Sequence, residues 1–334
     1  MKAGQDFNAK TQGCKGAENL SSSGLLRKWN LAPRNYIGQS PMNPLIQMIL
    51  AGGPVVTDGA WGTQLQARGL GIGEFPDLWN LTHPDRVGEV ASAYVAAGSQ
   101  IILTNTFGAN RIRLREQTAA DKVAEINVRG VELSLQEAKG RARVFASMGP
   151  SGKLLPGGEV TPEELRAAFA EQAQSLAKGG ADALVLETMS DLDEAKLAVS
   201  AARETGLPVV ACMVFDTDKD KDRTMMGNTP EQAAEVLTQA GADVLGANCG
   251  QGIAGFVSIC KRLRAATDRP IWIKANAGLP TLVDGRAQYT TTAEEFARYI
   301  PELIKAGASF LGGCCGTTPA FITQITRSLS PLIH

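Results

Sequence analysis

The chain is short of several things, and each shortage excludes a class of protein. It carries two histidines, His83 and the terminal His334, in 334 residues. A three-histidine zinc centre is therefore excluded, and any metal must lean on sulfur or carboxylate. Neither charge sign is in excess, with 33 basic residues against 34 acidic ones. No basic stripe points to nucleic acid or to an anionic membrane. Every apolar run falls short of the roughly 18 residues that a membrane span needs. The first forty residues lack the apolar core of a secretory signal, so a reducing cytoplasm is the expected compartment. Six cysteines are too sparse for a disulfide scaffold in a chain of this length. Aromatic residues make up only 5%.

What is present is a large apolar fraction, 44%, enough for a sizeable core. Residues 1–42 are polar and Gly/Ser-bearing, without a sustained period, and are expected to form an irregular extension. The remainder, 43–334, reads as one domain. Short apolar runs recur there: "GPVVTDGAWGT", "SQIILTNTFG", "RVFASMGPSG", "ADALVLETMSD", "PVVACMVFD", "ADVLGANCG", "PIWIKANAG" and "ASFLGGCCG". Between them lie helical patterns such as "TPEELRAAFAEQAQSLAKGG" and "TPEQAAEVLTQAGA". Both open on Thr-Pro, with Thr suited to the N-cap and Pro to the first turn. Four strands share a lead-in, "AAGSQ", "KGGAD", "QAGAD" and "KAGAS", each a helix stopped by glycine. Eight near-continuous apolar strands alternating with helices predict a parallel sheet covered on both faces. Eight also closes an α/β (β/α)8 TIM barrel. An open doubly wound sheet is the rival, but "DGAWGTQLQARG" lacks the G-x-G-x-x-G turn such a sheet would favour.

In such a barrel the chemistry lies at the C-terminal strand ends. Those ends offer Asp58, then Thr104, Asn105 and Thr106, then Glu187, Asn248, Cys249 and Asn276, and finally Cys314 and Cys315. Strands six and eight are separated by one strand, roughly 10 Å at the usual strand spacing. Inward side chains from both can meet on one ion, with Gly312 and Gly313 leaving space. Zinc is the metal suited to an all-thiolate set. The plainer readings are small buried hydrophobes, or a vicinal disulfide between Cys314 and Cys315. Cys212 and Cys260 read as core; Cys14, in the extension, has no reading. Three thiolates make zinc a poor activator of water but a good holder of a fourth sulfur, so the chemistry points to sulfur alkylation rather than hydrolysis. The turn at Gly59 and Ala60, opening a helix, offers a carboxylate seat. Asp58 and Glu187 offer negative charge for an ammonium. The plainer readings are an N-cap for Asp58, a buried ion pair for Glu187, and strand termination for Thr104 and Asn105.

The motifs "DGAWGT", "TNTFGANR", "SMGPSG", "ETMSDLDEA", "GANCG", "NAGLP" and "GGCCGTTP" together resemble the homocysteine S-methyltransferase family, over residues 45 to 330. The resemblance implies a (β/α)8 barrel with Zn²⁺ on Cys249, Cys314 and Cys315. It implies that Asp58 and Glu187 meet the amino group of homocysteine and that the turn after Asp58 receives its carboxylate. "TNTFGANR", "SMGPSG" and "NAGLP" look closest to the methionine synthase domain of that family, which usually carries methionine where this chain has Trp61. The expected reaction moves a methyl group onto the thiol of homocysteine to give methionine. No folate- or cobalamin-binding segment is expected after strand eight. The donor is therefore expected as a small onium compound or on a separate corrinoid protein. Trp61, Phe107, Phe215 and Tyr289 are the rim aromatics for a cationic donor, and their scarcity leans toward the corrinoid. Two other readings stand beside this one: a homocysteine-binding module without turnover, and a barrel hydrolase or lyase with structural cysteines. The charged stretch "DTDKDKDRTMMGNTP" reads as a solvated loop or a partner contact. The sequence leaves the donor and the oligomeric state open, a homo-oligomer included.

Overall fold

A computed structural model describes residues 41–283 and 286–329. The expected extension up to residue 40, with Cys14, lies outside the described residues, as does His334. The barrel strands are β1 (Val55–Val56), β2 (Ile101–Ile102), β3 (Arg143–Met148), β4 (Ala183–Met189) and β5 (Val209–Met213). They continue with β6 (Val244–Gly252), β7 (Ile271–Asn276) and, after a hairpin of β8 (Thr281–Val283) and β9 (Arg286–Gln288), with β10 (Ala308–Gly313). Eight of them form one sheet in the order β1-β10-β7-β6-β5-β4-β3-β2, every pair parallel. The seam between β1 and β2 is closed by Gln100, whose N–H donates to Val56 O at 2.8 Å. Its side-chain Oε1 accepts from Val56 N at 2.9 Å. This is the expected (β/α)8 barrel.

The glycine lead-ins do what their sequence suggests, and more. Gly98, Gly180, Gly241 and Gly307 have φ of +101°, +95°, +96° and +106°, the left-handed conformation that ends a helix. In three of the four, the side chain two residues on returns to the neighbouring strand. Asp182 Oδ2 accepts from Val144 N at 2.8 Å, and Asp243 Oδ2 from Val209 N at 2.9 Å. The same residues donate their own N–H to Val144 O and Val209 O. Each therefore brackets one residue of the preceding strand, as Gln100 does at the seam. At the other helix ends, Thr161 and Thr229 form capping boxes with Glu164 and Gln232 ahead of Pro162–Lys178 and Pro230–Ala240.

Inside the barrel, Ile101, Phe145, Val185, Val210, Trp272 and Phe310 make a core of their own, separate from the strand–helix layer. Trp272 is the largest, and its neighbours across the ladder are Gly246 on β6 and Phe310 on β10. The glycine leaves room for the indole on one side, and the Phe310 ring packs on it from the other. A Cβ at Gly246 would lie 2.1 Å from Trp272 O, so no other residue fits. Below this layer the short helix Pro44–Leu50 places Ile46, Ile49 and Leu50 against the same core and plugs the N-terminal end. Above it, continuing the inward parity, stand Ser147, Glu187, Asn248 and Lys274. The floor of the C-terminal mouth is therefore polar.

Candidate metal centre

The backbone is strained where the chemistry is expected. The β6–β7 ladder breaks between Asn248 and Gly252. Cys249 sits in that break with φ of +60°, and Thr188, next to Glu187, has φ of +61°. Left-handed backbone costs a β-branched residue about 1–3 kcal/mol and persists where neighbours enforce it. Asn248 is that neighbour. Its Oδ1 accepts from Thr188 N and its Nδ2 donates to Thr188 Oγ1, both at 2.7 Å. Nδ2 also lies 3.5 Å from Glu187 Oε2 and 3.8 Å from Cys314 Sγ.

The result brings Cys249, Cys314 and Cys315 together, with sulfurs all within 4.8 Å of one another. Cys249 Sγ is 3.9 Å from Cys315 Sγ. A tetrahedral ion with sulfur at about 2.3 Å spaces its ligands by roughly 3.8 Å, so three soft donors at this spacing fit zinc. All three are free thiols, which removes the vicinal-disulfide reading. Thiol hydrogen bonds from Cys314 and Cys315 pull the Cys249 sulfur down to about 3, and the contact with Cys249 holds Cys315 up at about 12. The Asn276 side chain also hydrogen-bonds Cys249, while its buried Oδ1 has no partner among the described residues. Cys212 and Cys260 are fully buried, as expected of core.

Gly312 and Gly313 have another job than clearing space for an ion. A Cβ at Gly312 would stand 2.0 Å from Thr57 Oγ1, and one at Gly313 2.2 Å from Thr317 Oγ1. They let β10 press against the turn after β1. That turn is itself engaged. Ala60 N donates to Thr317 Oγ1 at 3.2 Å, and the helix it leads into, Gly62–Gln66, is five residues long.

The sulfurs share a cavity of about 540 Å³ with Glu187, Lys274, Thr104, Asn105, Gly59 and Ala60. Asp58 does not line it. Its Oδ1 is 2.5 Å from Lys274 Nζ, and its Oδ2 accepts from Leu103 N and Trp61 Nε1, both at 2.7 Å. It is a strut between β1, β2 and β7, rather than an N-cap. Glu187 accepts from Ser147 Oγ, and burial raises its carboxyl above the ordinary range despite the Lys274 charge nearby. Burial alone would lower Lys274, but Asp58 and Glu187 outweigh it and hold the ammonium charged. Thr104 is tied to Thr106 Oγ1 and Ser147 N, and Asn105 to Pro76 O and Asn80. Of the expected aromatics, Trp61, Phe107 and Tyr289 line the cavity and Phe75 joins them. Phe215 does not; it is 1% exposed, in the core. Asp77 also lines the cavity, and burial pushes its carboxyl up to about 7 although Gly108 N donates to it.

Lys274 escaped the sequence reading. The signal was there: a lone lysine inside the apolar run "PIWIKANAG" must find a buried partner.

Fold and site together define a (β/α)8 barrel with a three-thiol centre at its C-terminal mouth. The profile of the family described as Homocysteine S-methyltransferase matches residues 55–329, and the chain belongs to that family. It is 32% identical over 295 residues to a methionine synthase of Mycobacterium tuberculosis (strain ATCC 25618 / H37Rv). To a methionine synthase of Mycobacterium leprae (strain TN) it is 31% identical over 292 residues. Each alignment covers 83% of this chain, and the chain spans 24% of each relative's length. Among solved structures, the metallated form of the homocysteine methyltransferase MmuM from Escherichia coli superposes with a TM-score of 0.70 at 23% identity. That match covers 85% of this chain and 99% of the other, and it shows a shared fold.

Proposed function

We propose that the chain methylates the thiol of homocysteine to give methionine, with zinc on Cys249, Cys314 and Cys315. The observation that carries this reading is the meeting of three free thiols from β6 and β10 at the floor of an open cavity. Zinc there would supply the Lewis acidity that keeps a substrate thiol ionised at neutral pH. The chain's own groups do the rest. Asn248 fixes Cys249 and Glu187 relative to each other, and Glu187 takes the substrate ammonium. Overall, one S–CH₃ bond forms, one donor–CH₃ bond breaks and the thiol proton is released. A reducing cytoplasm would keep the thiols free. Among the described residues no helix is long and apolar enough to cross a membrane. Residues 43–334 make up the homocysteine-binding barrel on this reading.

Two donors have support. Trp61, Phe75, Phe107 and Tyr289 around one cavity suit a small sulfonium or quaternary amine held on aromatic faces. The loops after β1, β3, β5 and β7 expose Ile72, Leu154, Met225, Met226, Leu279 and Leu282, which suits a docked corrinoid protein. The test is a donor panel. Zinc-loaded protein and homocysteine are given S-methylmethionine, S-adenosylmethionine, a betaine or methylcobalamin, and methionine is measured. Turnover with one donor is expected, falling on the order of 100-fold or more in Cys249→Ser. Full activity in that variant overturns the reading. Zinc and homocysteine binding without turnover on any donor identifies a binding module instead.

A further inference from the structure

We propose that Lys274 is the carboxylate receptor of the pocket and makes it selective for an amino-acid thiol over a simple amine thiol. The inference rests on the reading of the site given above. It starts from which charges reach the cavity. Lys274 lines it, while Asp58, whose charge the lysine meets, does not. The pair is buried, with side-chain exposures of 2% and 0%. Asp58 has both oxygens engaged, by Lys274, Leu103 N and Trp61 Nε1. Three of the roughly four acceptor sites of that carboxylate are thus filled, and it does not line the cavity where a ligand ammonium would sit. An ammonium group has three donors. Lys274 directs one at Asp58, and among the described residues no second hydrogen-bond acceptor meets it. Two donors are left for the cavity.

Register sets what lies beside it. Lys274 pairs with Asn248 on β6 and with Gly312 on β10. Asn248 in turn reaches Glu187 and Cys314. One inward layer thus holds a cation and an anion, with the thiols directly above. A zwitterionic α-amino acid with a thiol on its side chain matches that order: ammonium to Glu187, carboxylate to Lys274, sulfur to the cysteines. The turn at Ala60, whose N–H is already bonded to Thr317, is the weaker carboxylate seat.

The experiment compares two ligands that differ only in the carboxylate. Binding of L-homocysteine and of 3-aminopropane-1-thiol to zinc-loaded protein is measured by calorimetry, for wild type and for the neutral pair Asp58→Asn/Lys274→Met. Both ligands carry the ammonium, so any part Asp58 plays toward it cancels in the comparison. Wild type is expected to prefer homocysteine by about 10- to 100-fold, the range for hydrogen bonds to a charged group. The neutral pair is expected to bind both alike, within about threefold on the same scale. If that variant does not fold, Lys274→Gln takes its place; it keeps a donor for Asp58, and the same loss of preference is expected. A preference retained in the folded variant overturns the assignment, and so does wild type that binds both ligands equally. Those results leave the methyltransferase reading standing. Wild type that binds neither thiol overturns both.

Discussion

Asp77 is a carboxylic acid in a place that resists its charge. Burial raises it from an ordinary 3.8 to about 7, and the nearby Arg113 charge offsets only part of that. A folded-state value above the unfolded one means the folded chain holds more protons between those limits. The stability Asp77 contributes is then full below about pH 4 and lost as pH rises through 7. The whole span is worth at most about 4 kcal/mol. Asp77→Asn keeps an acceptor for Gly108 N and removes the titration. It should flatten the fall in urea-unfolding free energy between pH 4 and 7. An unchanged slope would show that Asp77 is not its source. Residues of this kind mark the boundary of what the sequence discloses. The cysteines were legible because three of them fell at predicted strand ends of one face. Asp58 was half legible: its position was right, but its partners Lys274 and Leu103 come from other strands, and no spacing in the chain announces them. Phe215 was misplaced because an apolar strand and its exit look alike in one dimension.

At the scale of elements, the glycine-stopped lead-ins do two jobs. The helix ends in the left-handed region, and in three of the four the residue two positions on clasps the preceding strand. Asp182→Ala would leave Val144 N without its partner at 2.8 Å. A part-buried donor so orphaned costs about 1–3 kcal/mol. Chemical denaturation should show that loss with little change in the m-value, and a loss below about 0.5 kcal/mol would mean water replaces the clasp. The strand and helix pattern was largely readable, because period and caps are local properties. The hairpin of β8 and β9 was not read, although Asp284-Gly285 between two short runs is a hairpin signal. The plug helix Pro44–Leu50 was missed for a physical reason. Its only fully buried residue is Ile46, too little to raise a period above the noise.

The whole molecule depends on a barrel filled tightly at the bottom and left polar at the top. Trp272 fills the interior beside Gly246, and Phe145 and Phe310 pack on its ring with centroids 6.1 and 5.2 Å away. Gly246→Ala has nowhere to put its methyl group. It should cost about 3 kcal/mol or more, as overpacking does, read as a lower denaturation midpoint. A neutral effect would mean the core yields more than its packing suggests. Above that layer stand the three sulfurs, and on them the account rests. X-ray absorption at the zinc edge, on protein with and without homocysteine, tests them most directly. The account predicts one zinc per chain with three sulfurs at about 2.3 Å, rising to four when homocysteine is added. Protein that binds no stoichiometric zinc, or a sulfur count that homocysteine leaves unchanged, would contradict it.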